Sequence, residues 1–130
     1  MCKVYFVATP IGNLGDISYR AVETLKNADL LLCEDTRHSR ILLDRYGVNK
    51  PLKSFHKFNE KKTLDFVCDT VRSGKTVAVI SDAGMPCVSD PGYLLVRRLI
   101  EEKIDYTVLP GACAFVTAFV MTGFEAPFTF

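Results

Sequence analysis

Four short segments of this chain combine glycine, proline and small polar residues, and each follows an apolar run. They are residues 8–16, 34–37, 81–92 and 110–114. Glycine lets a ligand approach the backbone closely, while aspartate and serine supply acceptors for hydroxyl and ammonium groups. We therefore expect these segments to bind a nucleoside-like ligand without phosphates. The alternative is that they are only tight turns, in which glycine and proline are common.

The sequence offers little for other common chemistries. Gly12 and Gly15 do not complete the G-x-G-x-x-G pattern of dinucleotide binding, and the segment around Lys75 lacks the preceding glycine of a P-loop. Two histidines and no G-x-S-x-G sequence argue against a serine hydrolase. Five widely spaced cysteines without a C-x-x-C pair do not predict a metal site, so we expect no metal.

Apolar runs alternate with helical patterns along the chain. We predict strands at residues 4–8, 30–33, 52–55, 76–80 and 105–109. Helices are predicted at residues 17–28, 36–46, 60–72, 91–103 and 112–121. Short apolar strands that alternate with helices are typical of a parallel sheet covered on both faces. The predicted fold class is α/β, a three-layer sandwich around a mainly parallel five-stranded sheet, and ligands of such sheets bind at the carboxyl ends of the strands.

The composition is that of an ordinary globular domain. Of the 130 residues, 48% are hydrophobic and 24% are charged, which excludes disordered and collagen-like classes. No apolar run reaches membrane-spanning length, and the first residues do not resemble a signal peptide. We expect a cytoplasmic protein without a membrane partner.

The net charge of +1 conceals a strongly basic segment. Residues 37–62 contain eight basic side chains and two acidic ones; the basic residues are Arg37, Arg40, Arg45, Lys50, Lys53, Lys57, Lys61 and Lys62. A contiguous basic segment in an otherwise neutral protein predicts contact with a polyanion. The alternative is an ordinary solvated helical surface.

Several motifs resemble the bacterial small-subunit ribosomal RNA cytidine 2′-O-methyltransferases, which belong to the tetrapyrrole methylase superfamily. The resemblance lies in TPIGNLGDI at residues 9–17, EDTR at 34–37, Phe55-His56 with Asn59-Glu60, SDAGMP at 81–86, SDPG at 89–92, and Pro110-Gly111. It extends over essentially the whole chain.

This resemblance implies a two-domain α/β enzyme, usually a homodimer, that binds S-adenosylmethionine between its domains. Its acceptor is the 2′-hydroxyl of a cytidine ribose in small-subunit (16S) ribosomal RNA. By the same comparison, residues 1–123 form the N-terminal cofactor- and substrate-binding domain, and residues 124–130 begin the interdomain segment. We therefore expect an N-terminal fragment that lacks the second domain and is inactive in isolation.

The resemblance also assigns roles to residues. Those expected at the cofactor, mainly through backbone groups, are Pro10, Ile80, Ser81, Asp82, Met85, Cys113 and Ala114. Glu34 or Asp35 occupies the position of a catalytic carboxylate. The residues expected to face RNA are Arg37, Arg40, Lys53, His56 and Lys57. Two positions depart from the family pattern: Cys113 replaces a common serine, and Phe58 interrupts a polar pattern after His56.

Methyl transfer to a hydroxyl requires two positioned reactants and a base that accepts the proton. Glu34, Asp35 and His56 are the candidates for that base. The carboxylates have an alternative role in capping the helix predicted at residue 36 and in pairing with Arg37.

Two other functions stay open at this point. A methylase of the same superfamily could act on a tetrapyrrole or another small acceptor, but a macrocycle would not explain eight clustered cations. A non-catalytic RNA-binding or dimerisation module would explain the cations, but it would have no reason to bind S-adenosylmethionine.

Overall fold

A computed structural model of the chain describes residues 3–56, 58–88 and 92–129. Within these ranges, five strands alternate with five helices. The strands are β1 (Val4–Val7), β2 (Leu30–Cys33), β3 (Leu52–Ser54), β4 (Val77–Ile80) and β5 (Tyr106–Leu109). The helices are α1 (Tyr19–Asn27), α2 (Thr36–Arg45), α3 (Glu60–Arg72), α4 (Tyr93–Glu101) and α5 (Ala114–Thr122).

The five strands form one sheet in the order β3-β2-β4-β1-β5. Every neighbouring pair is parallel, and β1 lies between β4 and β5, with Val7 opposite both Ile80 and Leu109. The predicted α/β class is therefore confirmed, and the sheet, expected to be mainly parallel, is parallel throughout the described strands.

Alternating strand residues build two apolar layers, one on each face of the sheet. Val4, Phe6 and Val79 point toward α3 and α4, whereas Val7 and Ile80 point toward α1 and α2. The helices complete these layers with Leu64, Val67, Leu95 and Leu99 on the first face and with Ala21, Leu25 and Leu43 on the second. Full burial of one such large side chain contributes about 1.5–3 kcal/mol, so these two layers provide most of the driving force for folding.

The N-terminal end of the first helix differs from the prediction. A helix was predicted from residue 17, whereas α1 begins at Tyr19. Ser18 has extended backbone angles, and its hydroxyl accepts a hydrogen bond from the Ala21 amide at 3.1 Å. A serine that caps a helix lies outside it, so the helix starts after Ser18. Before it, Leu14–Asp16 form a 3₁₀ helix that the apolar pattern did not indicate.

The other strands and helices agree with their predicted bounds to within two residues. The fourth helix is predicted to start at Pro91 or Gly92; Pro91 falls outside the described residues, and Gly92 is the N-cap of α4. Among the described residues, no helix has the length and apolar character needed to span a bilayer.

The chain connections create a crevice at the carboxyl end of β4. The segments after β1 and β2 lead to helices on one face of the sheet, while the segment after β4 leads to α4 on the other face. In the sheet, β4 lies between β2 and β1. The loop after β4 therefore turns away from the loops after β2 and β1. In open α/β sheets this is the place where ligands bind.

Candidate active site

The loops after β1 and β4 are joined by hydrogen bonds at the base of this crevice. Thr9 and Gly84 exchange backbone hydrogen bonds of 3.0 and 2.9 Å. The Thr9 hydroxyl donates to the Ser81 carbonyl oxygen at 3.2 Å, and the Ser81 hydroxyl donates to the Gly84 carbonyl oxygen at 3.0 Å. Thr9 and Ser81 are both buried, and their side-chain hydroxyls are thereby satisfied. The base of the crevice is consequently a fixed backbone surface.

Gly84 is the point where three loops meet. Its φ is +78°, and a Cβ added there would lie 3.3 Å from Ile11 Cγ2 and 3.7 Å from the Ala112 carbonyl oxygen. The loops after β1, β4 and β5 therefore approach one another at a position that favours glycine for two reasons, its backbone angle and the space available. The sequence placed Gly84 in a ligand-binding segment but assigned it no role.

Asp35 is the N-cap residue of α2 and directly precedes Thr36. Its carboxylate accepts hydrogen bonds from the amides of Arg37 at 2.9 Å and His38 at 3.4 Å, and it lies 3.6 Å from the Arg37 guanidinium. The hydrogen bond from the Arg37 amide lowers the pKa of Asp35, and the His38 amide and the Arg37 charge act in the same direction. A carboxylate that is stabilised in its charged form is a weaker base, so the structure favours the capping role for Asp35.

Asp82 connects the β4 loop to the start of α2. One carboxylate oxygen, Oδ1, accepts a hydrogen bond from the Asp35 amide at 3.3 Å. The Nε2 atom of His38 lies 3.0 Å from the Asp82 carbonyl oxygen, and since that oxygen can only accept, Nε2 carries the proton. Sequence reasoning missed His38, because only the strand order shows that the first turn of α2 lies beside the β4 loop.

A cavity of about 320 Å³ opens between α2 and the loops after β1 and β4. Three of the predicted cofactor residues line it together, namely Pro10, Ser81 and Asp82. Five more lining residues lie in the predicted ligand-binding segments, namely Thr9, Ile11, Gly12, Leu14 and Ala83. The sequence did not predict the wall that α2 provides with His38, Ser39, Ile41 and Leu42. The walls thus combine aliphatic side chains with hydroxyl, carboxylate and imidazole groups.

The other predicted cofactor residues lie outside this cavity. The Ile80 side chain is buried in the core beneath α1 and α2, so only its backbone is available to a ligand. Met85 is half-buried in the β4 loop. Cys113 precedes α5 without a side-chain capping bond, and Ala114 is the first residue of that helix. The structure therefore brings together three of the seven residues in one cavity and distributes the rest over the loops after β4 and β5.

Glu34 follows β2 and His56 follows β3, and these two strands are neighbours in the sheet. The Glu34 carbonyl oxygen accepts a hydrogen bond from the Ser54 hydroxyl at 3.4 Å, which joins the ends of β2 and β3. His56 is half-buried, and its Nδ1 atom accepts a hydrogen bond from the Phe58 amide at 3.2 Å. An accepting Nδ1 places the proton of the neutral ring on Nε2, which is then a donor. His56 in this tautomer cannot serve as a base through its other nitrogen.

The described cations among the predicted RNA-facing residues lie on two elements, α2 and the edge strand β3. Arg37 is exposed and Arg40 half-buried in the first turns of α2, and Lys53 lies on β3 with its Nζ 4.5 Å from the centre of the Phe66 ring. Lys57 falls outside the described residues.

The basic segment does not form a single surface. Arg45 ends α2 and Lys50 precedes β3, so both lie at the amino end of the sheet, away from the crevice. Lys61 and Lys62 are exposed in the first turn of α3, near the carboxyl end of β3. The cations of the segment are therefore divided between the two ends of the sheet.

Comparison with known proteins assigns the fold and the sequence to one family. The family profile described as Tetrapyrrole (Corrin/Porphyrin) Methylases matches residues 3–129. The chain belongs to the tetrapyrrole methylase family. The family relationship inferred from the sequence motifs is thereby confirmed.

Its similarity to curated members of the family is high. It is 56% identical over 130 residues to "Ribosomal RNA small subunit methyltransferase I" of Mycoplasmopsis pulmonis (strain UAB CTIP), covering all of this chain and 59% of that protein. It is 47% identical over 124 residues to the protein of the same name from Thermotoga maritima, covering 95% of this chain and 56% of that protein. The chain thus spans little more than half the length of these relatives.

A solved structure of a tetrapyrrole methylase has the same fold. The uroporphyrin-III-C-methyltransferase from Thermus thermophilus superimposes with a TM-score of 0.72 at 22% identity, over 96% of this chain and 53% of that one. At this identity the likeness concerns the fold alone.

Proposed function

We propose that this protein is an S-adenosylmethionine-dependent methyltransferase whose acceptor is the 2′-hydroxyl of a cytidine ribose in small-subunit (16S) ribosomal RNA. The observation that carries the proposal is that α2 contributes to both features: its residues His38 and Ser39 line the cavity that contains Pro10, Ser81 and Asp82, and the same first turns carry the cations Arg37 and Arg40. The names of the relatives from Mycoplasmopsis pulmonis and Thermotoga maritima agree with it.

The residues around the crevice fit the proposed cofactor. A cavity of about 320 Å³ with aliphatic walls and a few oxygen acceptors suits the nucleoside part of S-adenosylmethionine. Pro10, Ser81 and Asp82 would hold that part. Met85, Cys113, Ala114 and the Ile80 backbone would contact the remainder, since the loops after β4 and β5 adjoin at Gly84. When bound, the cofactor supplies an electrophilic methyl group on a sulfonium.

Glu34 is proposed to accept the proton of the ribose hydroxyl. It directly follows β2 and precedes Asp35, whose amide donates to Asp82, so a hydrogen bond connects its loop to the proposed cofactor loop. A positioned base contributes typically 10²–10⁴-fold to the rate of such a step. Asp35 and His38 hold α2 against the β4 loop, and His56, with Nε2 as a donor, is suited to hydrogen-bond an oxygen of the RNA.

Four cations of the basic segment are proposed to bind the RNA backbone. Arg37, Arg40, Lys53 and Lys57 would neutralise phosphates and orient the strand, because phosphate contacts fix the register of a bound nucleic acid. Their long-range attraction also accelerates association with a polyanion.

We further propose that residues 1–123 act as the cofactor- and substrate-binding domain of a two-domain methylase, with residues 124–130 beginning the interdomain segment. A homodimer in the cytoplasm is part of the same proposal. The described C-terminal region supports an association surface, because no residue of α5 is buried and Val120, Met121 and Phe124 expose large apolar side chains.

A competition between acceptors tests the acceptor class. The full-length gene product is incubated with S-adenosylmethionine carrying a radiolabelled methyl group, together with unmethylated small-subunit ribosomal RNA or with uroporphyrinogen III. The proposal expects label in the RNA and none in the tetrapyrrole. Transfer to the tetrapyrrole with no label in RNA would overturn the proposal.

A further inference from the structure

Phe58 presents an almost completely exposed aromatic ring near the C-terminal end of the basic segment, residues 37–62. The residue is 95% exposed and follows β3 in the turn that leads to α3. A single exposed apolar residue needs no explanation in itself. The residues around Phe58 distinguish it from an isolated apolar residue.

Hydrogen bonds hold the turn that carries Phe58. The Asn59 side chain accepts from the His56 amide at 2.8 Å and donates to the Ser54 carbonyl oxygen at 2.9 Å. The Asn59 amide donates to the His56 carbonyl oxygen at 3.1 Å, and the Phe58 amide donates to His56 Nδ1 at 3.2 Å. These hydrogen bonds anchor the backbones of His56, Phe58 and Asn59.

Phe58 has an aromatic contact and is followed in sequence by two exposed cations. The His56 ring packs edge-on at 6.0 Å between centroids and leaves Phe58 95% exposed. Lys61 and Lys62 are exposed in the following turn, and Lys53 lies over the half-exposed Phe66 ring of α3. The acidic residue in this region, Glu60, is turned aside, since its carboxylate accepts a hydrogen bond from the Gly92 amide at 2.9 Å.

We propose that Phe58 is a stacking platform for an unpaired base of the RNA substrate. Exposed rings interleaved with cations are the means by which proteins bind single-stranded nucleic acid: the ring stacks on a base, and the cations neutralise the adjacent phosphates. The inference rests on the proposed function, because it takes RNA as the acceptor. It adds a residue that binds a base exposed from the helical stack next to the basic segment.

Affinity for a short RNA as a function of salt tests this role. The probe is a 12-nucleotide unstructured RNA, and the protein is the full-length gene product, measured by fluorescence anisotropy. Phe58→Ala should weaken binding by about 5- to 100-fold, the effect of losing one base–aromatic contact. The slope of log affinity against log salt should not change, since no charge is removed.

Three further variants control for other effects of the substitution. Phe58→Trp should retain the affinity, while Phe58→Leu, which is apolar without a ring face, should lose it. Tyr19→Ala removes an equally exposed ring, 98% exposed on α1 and outside the basic segment, and should bind as the original protein does. Circular dichroism verifies that each variant is folded.

The results separate this inference from the proposed function. Unchanged affinity in Phe58→Ala, or equal affinity in Phe58→Leu and the original protein, would overturn the stacking role while RNA binding itself stands. If the original protein does not bind the RNA at any salt concentration, the proposed function fails and the inference with it.

Discussion

At the scale of single residues, the fold gives the adjacent carboxylates of Glu34 and Asp35 different environments. The sequence could not distinguish Glu34 from Asp35, because both follow a strand and both precede a helix. Capping geometry separates them: Asp35 accepts two amide hydrogen bonds of α2, and these lower its pKa. The base among the candidates is therefore proposed to be Glu34.

Conservative amide substitutions test this division of roles. Glu34→Gln should reduce kcat by about 10²–10⁴-fold, because the amide cannot accept a proton. Asp35→Asn should keep most of the activity and the helix, because asparagine caps helices about as well as aspartate. The measurement is methyl transfer under saturating substrates with the full-length gene product. A larger loss in Asp35→Asn than in Glu34→Gln would reverse the assignment.

Substitution of Gly84, with Gly47 as the control, tests whether the three loops pack at Gly84. Both have positive φ, +78° and +66°, but a Cβ at Gly47 would meet nothing within 4 Å. Gly47→Ala should lower the free energy of unfolding by roughly 1–2 kcal/mol from the backbone conformation alone. Gly84→Ala should cost about 1–3 kcal/mol more, because Ile11 must move. Urea denaturation measures both, and equal losses would show that the three loops do not pack at Gly84 as described.

At the scale of elements, charged side chains connect α3 to α4. Arg98 pairs with Asp65 of α3 and with Glu102, and Arg72 of α3 also pairs with Glu102. The hydrogen bond from Arg98 is the main cause that lowers the pKa of Glu102, and the charge of Arg72 adds to it. A carboxyl group whose pKa is depressed by folding stabilises the folded state above its unfolded pKa, about 4.3 for glutamate. That stabilisation is lost as the pH falls through the lower, folded pKa.

Removing this carboxylate should change how stability depends on pH. Glu102→Gln should unfold at lower urea concentration than the original protein at pH 7, and the difference should shrink as the pH falls from 5 toward 3. Glu101→Gln is the control, because Glu101 makes no ion pair within the described residues. A difference that is constant over this pH range would contradict the account.

The basic segment shows what strand order adds to a sequence pattern. Lys50 lies close enough to Asp29, which precedes β2, to contribute to lowering the pKa of that residue after the dominant Thr76 amide hydrogen bond. Lys50 is thus at the amino end of the sheet, whereas Lys53 faces Phe66 on the side toward α3. Lys50 and Lys53 are three residues apart in sequence, but they therefore lie on different surfaces.

A pair of alanine substitutions tests this division. Lys53→Ala should weaken RNA binding and reduce the magnitude of the salt slope by about 0.7, the value for one phosphate contact on single-stranded RNA. Lys50→Ala should leave affinity and slope unchanged. Equal effects of the two substitutions, measured by anisotropy over a series of salt concentrations, would mean that the basic segment acts as one undivided surface.

Local patterns predicted the elements, while their arrangement depended on contacts that are distant in sequence. The runs Leu30–Cys33 and Val77–Ile80 are wholly apolar, and both are strands buried between the two helical layers. The hydrogen bonds of Asp82 with Asp35 and His38 join residues 47 and 44 positions apart. Local sequence patterns do not reveal such distant pairs. The sequence therefore did not predict that α2 forms a wall of the cavity. The cap at Ser18 was missed for the opposite reason, since apolar spacing continues through Ile17 without regard to backbone angles.

At the scale of the whole molecule, the described chain provides one side of the proposed cofactor site. Pro10, Ser81 and Asp82 line a cavity on its surface, and Met85, Cys113 and Ala114 lie outside that cavity. Tight small-molecule sites bury most of their ligand. Residues 1–130 alone should therefore bind S-adenosylmethionine weakly or not at all in isothermal titration calorimetry. Sub-micromolar binding would show that the site is complete within this chain.

The position of the transferred methyl group tests the central claim most directly. Small-subunit ribosomal RNA is incubated with the full-length gene product and S-adenosylmethionine carrying a deuterated methyl group, digested to nucleosides and analysed by mass spectrometry. The account predicts a labelled cytidine whose additional mass stays with the ribose fragment, as in 2′-O-methylcytidine. Label on the base of any nucleoside, with none on ribose, would contradict it.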